Sequence, residues 1–252
     1  MPILKRLVKN SVLNIKKTLK LLVRSIDRES VANTYLRGNG LEIGALHNPL
    51  KVSQSAKVKY VDRMSVEDLK IQYPEHKREK LAHVDFVDDG DRLERIADGS
   101  QDFVIANHFL EHSQNPLLSF RNIYRVLRPG GVLYLALPDK RYTFDVGRPV
   151  TTLGHLQRDL QEGPAWSRRG HFEEWTQHVD RLTDPADRAR RVEHLMALDY
   201  SIHFHVWSQR EMVELLLFLQ GSFPFELELL LKHGDEQIFI LRKREQSGFT
   251  GA

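Results

Sequence analysis

The chain has 252 residues, 41% of them hydrophobic and 28% charged, which is an ordinary balance for a folded globular protein. It has no cysteine, which excludes disulfides, thiolate metal sites and a thiol nucleophile. The net charge of +3 is uneven: residues 1–28 hold eight basic residues against Asp27 alone, so the remainder carries −4. A mildly acidic body argues against a broad phosphate-binding face, and we expect no nucleic-acid partner.

Residues 1–28 place apolar side chains at near-helical spacing with lysines and arginines between them, which predicts a basic amphipathic helix. The charges interrupt every apolar run well short of the ~20 residues that cross a bilayer, and no uncharged core precedes a secretory cleavage site. The helix packs on the domain or on a second subunit of a homo-oligomer, or it lies on anionic lipid; a partly disordered tail is the third alternative. Residues 29–37 follow as a short helix or connector.

A glycine turn and an acidic residue follow two predicted strands. The segment LEIG runs from a strand into a turn at Gly44, and a second short strand, VKYV, ends at Asp62. The carboxyl ends of neighbouring parallel strands meet where ligands bind. Gly44 lets the backbone approach a ligand, and Asp62 is suited to accept hydrogen bonds from a ribose diol. These features indicate an adenosine-bearing cofactor, although Leu46 and Asn48 stand where the dinucleotide fingerprint has further glycines.

Further along the chain, short helices are predicted around residues 65–73 and 89–97. The segment SQDFVIANHFLEH reads as a buried strand that opens into a polar edge and a helix. A helix over residues 116–127 is stopped by Pro-Gly-Gly within RVLRPGGVLYLALP, and the apolar end of that segment is the next strand.

The order of these motifs resembles the class I S-adenosylmethionine-dependent methyltransferases, in their small-molecule, type-11-like branch. The resemblance is close over residues 38–138 and looser over 205–243. It implies an α/β fold: a Rossmann-like seven-stranded methyltransferase sheet with an antiparallel last strand, here with an inserted, mostly helical lid. It also implies methyl transfer with S-adenosylmethionine as cofactor, and it disfavours a nicotinamide oxidoreductase, whose pyrophosphate needs the missing glycines.

The resemblance assigns cofactor-binding roles to particular positions. Glu42 corresponds to the acid that contacts the amino group of the cofactor, and Gly44 to the glycine beneath the methionine and ribose. Asp62 corresponds to the acid that holds the ribose hydroxyls. Asp88 or Asp89 would face adenine, and the Asn107 amide would lie beside the methionine.

Residues 139–204 interrupt the alternation of strands and helices. The segment is far longer than the ~2–6 residues usual for a connection, so we expect an ordered insertion that acts as a lid and holds the methyl acceptor. The domain resumes over residues 205–245, where Ser208 and Glu211 form a capping box at the start of a helix. A two-stranded hairpin completes the sheet, and residues 246–252 are predicted to be a flexible tail.

Methyl transfer to a hydroxyl or amine benefits from a general base. The edge of the sheet offers His108 and Asp139, and the insertion and its end offer His171 and His205. Imidazoles at His171, His178, His203 or His205 are able to ligate a metal. No spacing signature accompanies them, so no metal site is predicted.

The acceptor is expected to be a small molecule or a glycan, because histidine, tryptophan and arginine crowd the insertion. The segments LEIGALHNPL, ANHFLEH and HFHVW also resemble segments of methyltransferases found with bacterial surface-polysaccharide enzymes. This resemblance implies O-methylation of a sugar in glycan biosynthesis. We expect a cytoplasmic location, with peripheral contact at the inner face of the membrane if residues 1–28 bind lipid. The rival hypothesis is a methyltransferase-like binding module without turnover in a glycan-assembly complex.

Overall fold

The computed structural model describes residues 26–244. The predicted tail lies outside this range, and so does the predicted basic N-terminal helix apart from its last three residues. Among the residues described, no helix has the length and apolar character needed to cross a membrane.

Seven strands are present within residues 26–244: β1 (Gly38–Ile43), β2 (Ala56–Asp62), β3 (Phe86–Val87), β4 (Gln101–Asn107), β5 (Leu127–Pro138), β6 (Phe225–His233) and β7 (Glu236–Lys243). They form a single sheet in the order β3-β2-β1-β4-β5-β7-β6. Strands β1 to β5 pair in parallel with one another, whereas β7 pairs antiparallel with both β5 and β6. This arrangement confirms the predicted seven-stranded sheet with an antiparallel last strand.

Seven α-helices connect or flank these strands in the described part of the chain. They are α1 (Arg28–Tyr35), α2 (Val66–Gln72), α3 (Pro116–Val126), α4 (Leu153–Glu162), α5 (Ala165–His178), α6 (Pro185–Ala197) and α7 (Gln209–Gln220). The predicted capping box is present at α7, where the Ser208 N–H donates to the Glu211 carboxylate at 3.0 Å.

Side chains alternate across the sheet, so each strand contributes to two cores. Leu41 and Ile43 point to the face covered by α3 and α7. Phe103 and Ile105 of β4 point to the opposite face, which α1 covers. By the same alternation Glu42 lies on the α1 face, and this fixes where its carboxylate is found.

The short helix predicted over residues 89–97 is wrong: this stretch forms consecutive turns. Leu93 has φ +49°, a left-handed conformation that cannot continue a right-handed helix. Its side chain is fully buried, and that core packing holds the unfavourable backbone in place.

Residues 139–204 fold as two 3₁₀ turns followed by helices α4 to α6, in agreement with the predicted mostly helical insertion. Thr152 caps α4 and Asp184 caps α6 through their side-chain oxygens. Phe172 of α5 packs with residues of α6 and of the returning segment in a small core separate from the two beside the sheet. The insertion thus has its own apolar centre.

Candidate active site

A cavity of about 770 Å³ lies at the carboxyl ends of the parallel strands. Its volume is within the range of small-molecule sites, ~300–1,000 Å³, and its place is where open α/β sheets bind ligands. One side is formed by residues that follow β1, β2, β3 and β4, and the other by the insertion and the segment that returns from it. The cavity is therefore bounded by the sheet and by the predicted lid together.

The turn after β1 forms part of this cavity. Gly44 has φ +66°, and a Cβ placed on it would meet no atom within 4 Å. The glycine is therefore required by backbone conformation, and the space beside it stays open for a ligand. Leu46 follows in a left-handed conformation with φ +45°, and the Asn48 N–H closes the turn on the Ala45 carbonyl at 3.0 Å.

Asp62 ends β2 and lines the cavity. Burial raises the pKa of its carboxyl to about 6, although the Arg63 N–H, which donates to Oδ1 at 2.8 Å, works in the opposite direction. The Arg63 guanidinium donates to the Tyr73 hydroxyl and to Asp199 of the insertion. A half-buried carboxylate at this edge is well placed to accept hydrogen bonds from a diol.

Glu42 and Asn107 lie behind the surface that lines the cavity. The Glu42 carboxylate is buried and accepts the Leu50 N–H at 3.0 and 3.1 Å. Burial raises its pKa to about 7. The buried Asn107 amide lies close enough to the Glu42 carboxylate to lower the pKa of that group, but neither of its polar atoms makes a hydrogen bond of normal geometry to any residue in 26–244. An orphaned buried amide at the end of β4 fits a site that is completed by a polar ligand.

Asp88 and Asp89 follow β3 and differ in position. Asp88 accepts the Arg95 N–H at 2.8 Å and is not among the cavity residues, whereas Asp89 lines the cavity. Asp91, which the sequence did not single out, also lines it. Burial raises the pKa of Asp91 to about 6, against the hydrogen bond that Ser119 Oγ donates to Oδ1 at 2.6 Å.

His108 follows β4 in a left-handed conformation, with φ +48°. It lines the cavity between two carboxylates, with Nδ1 at 3.3 Å from Glu111 and Nε2 at 2.9 Å from Glu236. Burial would lower the pKa of His108, but these two partners outweigh it and raise the pKa to about 9. The imidazole is therefore cationic at neutral pH, which makes it a poor proton acceptor. Arg28 of α1 also pairs with Glu236.

The structure adds a histidine–aspartate pair that the sequence did not predict as a unit. His203 lines the cavity, and its Nδ1 lies 2.7 Å from Asp145 Oδ2. Arg148, whose side chain is fully buried, donates to Asp145 Oδ1 at 2.8 Å and fixes the carboxylate. Because the carboxylate accepts a hydrogen bond from Nδ1–H, the tautomer with a free Nε2 lone pair is favoured. Such a pair is built to accept a proton.

Asp139, His171 and His205 are not among the residues that line the cavity. Asp139 is fully buried and accepts hydrogen bonds from Arg141 and Gln237. Burial would raise the pKa of Asp139, yet the Arg141 hydrogen bonds lower it overall. A catalytic role for these three residues remains an untested prediction.

The insertion reaches across to the cofactor side of the cavity through exposed contacts. Asp199 pairs with Arg63 at 3.2 Å, and the Tyr200 hydroxyl donates to Glu75 at 3.0 Å. Gln72 of α2 donates to the Leu198 carbonyl at 3.0 Å. These contacts bring the roof of the cavity down over the region between Asp62 and α2.

Comparison with known proteins identifies the part of the chain that forms the parallel strands. Residues 38–135 match a family model described as a methyltransferase domain. No curated protein matches the chain. A solved S-adenosylmethionine-dependent methyltransferase from Methanosarcina mazei is 17% identical, with coverage of 87% of this chain and 99% of that one, at a TM-score of 0.48.

Two further solved structures are similar. A methyltransferase of the same cofactor class from Aquifex aeolicus is 12% identical, with coverage of 82% and 83%, at a TM-score of 0.44. A Rhodobacter sphaeroides protein that carries the name of a zinc-dependent alcohol dehydrogenase is 13% identical, with coverage of 85% and 87%, at a TM-score of 0.51. At 13% identity, the similarity to the Rhodobacter sphaeroides protein is a similarity of fold alone.

The matched segment contains β1 to β5, together with Gly44, Asp62 and the aspartates after β3. An adenosine-bearing cofactor fits this edge of the sheet: the backbone is open beside Gly44, a carboxylate faces the cavity at Asp62, and a buried amide at Asn107 lacks a partner. The match and the geometry of the site therefore identify residues 38–135 as a methyltransferase domain.

Proposed function

We propose that the protein O-methylates a hydroxyl group of a sugar or another small polar acceptor in glycan biosynthesis, with His203 as the general base. The observation that carries the proposal is the Asp145–His203 pair on the insertion side of the cavity, opposite the cofactor-binding edge. A hydroxyl must lose its proton as it is methylated, and an imidazole oriented by a carboxylate is suited to take it.

The residues around His203 would position the acceptor. Phe144 and Trp175 lie with their ring centroids 4.9 and 6.0 Å from the His203 ring, and both line the cavity. Aromatic faces beside polar groups suit the apolar face and hydroxyl edge of a sugar ring. His112 lies 4.7 Å from the His203 ring, and burial, followed by the proximity of His203, lowers its pKa to about 4. With so low a pKa, His112 is a weak proton acceptor.

S-adenosylmethionine, when bound, supplies an electrophilic methyl group. Asp62 would hold the ribose hydroxyls and Asp89 or Asp88 would face adenine, while Gly44 and Asn107 would lie against the methionine end. His203 would take the acceptor proton at Nε2, and Asp145 would stabilise the imidazolium that forms. The cationic His108, held by Glu111 and Glu236, would offer a positive charge to an anionic group of either ligand.

The proposal includes a cytoplasmic setting, because the cofactor is made there, and no nucleic-acid partner. Residues 1–28 would contact either the inner face of the membrane, where a lipid-linked glycan acceptor would be found, or a second subunit. Their eight basic residues against one acidic residue support an anionic surface as the partner.

The test is a product assay with a panel of sugar and glycan acceptors, combined with calorimetry of S-adenosylmethionine binding. His203→Gln should lower kcat by roughly 10²- to 10⁴-fold, the range for loss of a general base, with cofactor affinity unchanged. His194→Gln, on the exposed face of α6, is the matched control and should keep full activity. Full turnover in folded His203→Gln would refute the base assignment. Cofactor binding without turnover of any acceptor would favour the binding module instead.

A further inference from the structure

Three histidines and an aspartate converge inside the insertion, away from the residues that line the cavity. His155 and Asp159 lie one turn apart on α4, His171 lies on α5, and His205 lies on the segment that returns to the sheet. His155 Nε2 is 3.1 Å from His171 Nε2 and 3.2 Å from Asp159 Oδ2. His205 Nε2 is 3.8 Å from the same Oδ2. The ligand atoms of the three histidines all lie within 4.8 Å of one another.

These groups are buried without the partners that buried polar groups normally have. Asp159 and His205 are 0% and 1% exposed. Asp159 Oδ2 and both ring nitrogens of His205 accept or donate no hydrogen bond among residues 26–244. Asp159 Oδ2 therefore has the His155 and His205 rings beside it but accepts no hydrogen bond of normal geometry from them. Buried polar groups that lack such bonds are unfavourable, and a cation between these groups would stabilise them.

The surroundings orient the carboxylate toward the histidines. Ser167 Oγ lies 3.0 Å from Asp159 Oδ1 and occupies the oxygen that faces away from the histidines. Asn115 donates to the Asp159 main-chain carbonyl at 3.1 Å and ties the end of α4 to α3. Outer hydrogen bonds of this kind hold ligands in place in metal sites.

We propose that His155, His171 and His205 bind one divalent transition-metal ion of the zinc class, with the Asp159 carboxylate beside it. Around a tetrahedral ion with bonds of about 2.0–2.1 Å, neighbouring ligand atoms are separated by about 3.4 Å. The separation of 3.1 Å between His155 Nε2 and His171 Nε2 is close to this value, and the ligand atoms of all three histidines lie within 4.8 Å of one another. Three imidazoles are a set that zinc-class ions bind in proteins. Asp159 Oδ2 adds a negative charge beside them that favours a bound cation.

An ion here joins α4, α5 and the returning segment at one point. His205 lies two residues from His203 in that returning segment. The ion would therefore fix the wall of the cavity from which His203 projects, without contacting the ligands in the cavity.

The experiment uses full-length protein from which any affinity tag has been removed, incubated with Zn²⁺ and then passed over a desalting column. Elemental analysis should find one zinc per chain. Asp159→Asn and His155→Gln keep the size of each side chain, and each should weaken zinc binding by at least about 100-fold in a chelator competition. A chelator should lower the Tm of the wild-type protein and leave the Tm of either variant unchanged.

Controls separate this cluster from two other groups of ligating side chains in the described residues. His194→Gln, His76→Gln on the exposed His47–His76–Glu79 group, and His203→Gln on the Glu111–His112–His203 group should all retain the zinc. Absence of stoichiometric zinc from the incubated wild-type protein would overturn the proposal. So would retention of zinc by folded Asp159→Asn and His155→Gln, or its loss in a control.

Discussion

Replacement of Asp62 tests the cofactor site most directly. Its carboxylate faces the cavity at the end of β2, where two ribose hydroxyls would donate to it. Hydrogen bonds to a charged group contribute ~1.5–3 kcal/mol, which corresponds to roughly a 10- to 150-fold change in affinity at ~1.36 kcal/mol per factor of ten. Asp62→Ala should therefore weaken S-adenosylhomocysteine binding by this factor, as measured by isothermal titration calorimetry.

The same carboxylate predicts a pH dependence. Burial raises the pKa of Asp62 to about 6 in the free protein, and only the ionised form accepts from both hydroxyls. Affinity should fall as the pH is lowered through about 6. In Asp62→Asn this pH-dependent contribution should be absent, so the affinity of the wild type divided by that of the variant should be smaller at pH 5 than at pH 7. Titrations that both proteins share cancel in this ratio.

Asp187→Asn, on the exposed side of α6, is the control for loss of one carboxylate and should bind as the wild type does. Circular dichroism of each variant establishes that it is folded. If folded Asp62→Ala bound S-adenosylhomocysteine with wild-type affinity, the ribose would have to be held elsewhere and the orientation of the cofactor would be different.

Three further changes have distinct expected outcomes. Glu42→Gln removes a buried carboxyl group whose pKa is raised from 4.5 to about 7 in the folded protein. That group stabilises the folded state fully below pH 4.5 and loses this contribution as the pH rises through 7, so the variant apoprotein should be more stable than the wild type by on the order of 2–3 kcal/mol at pH 8. A difference in Tm between variant and wild type that is the same at pH 5 and pH 8 would contradict this. Gly44→Ala places a Cβ on a backbone with φ +66°, which should lower the free energy of unfolding, measured with denaturant, by ~1–2 kcal/mol. The substitution should also weaken cofactor binding. An unchanged free energy of unfolding together with an unchanged cofactor affinity would refute the role of this turn. His108→Gln removes an imidazole whose pKa is raised to about 9, so the variant should have a lower Tm than the wild type at pH 6.5. This difference in Tm should narrow as the pH rises through 9, because the wild-type imidazole then loses its charge. A difference in Tm that does not change with pH would exclude the ion pairs as its cause.

Much of the sheet could be predicted from sequence, because β4 and β5 contain continuous apolar runs and β1, β2 and β5 end beside or at a glycine, an aspartate and a proline. Gly44 and Asp62 end adjacent parallel strands, so their proximity follows from chain order alone. The helix expected over residues 89–97 failed for a local reason. The left-handed backbone at Leu93 is maintained by core packing, which no pattern within those nine residues reveals.

The insertion could be predicted as a segment but not in its chemistry. Asp145 and His203 are 58 positions apart, and they meet only because the returning segment packs on α5 and α6. His155 and Asp159 have a visible i, i+4 spacing, but the other two members of that cluster lie on different elements. Composition showed that histidines were abundant in the insertion. Which of them faced the cavity depended on tertiary packing.

The contacts that hold the roof of the cavity differ from one side to the other, and this has a kinetic consequence. At the edge near α2 the insertion is held by exposed polar contacts from Arg63, Glu75 and Gln72, and such contacts contribute only ~0–1 kcal/mol each. At the edge near His203 it is held by the buried Arg148–Asp145 pair and by an apolar core. Separation at the first edge is the less costly, so we expect spent cofactor to leave and fresh cofactor to enter there, while the wall that carries the base stays in place between turnovers.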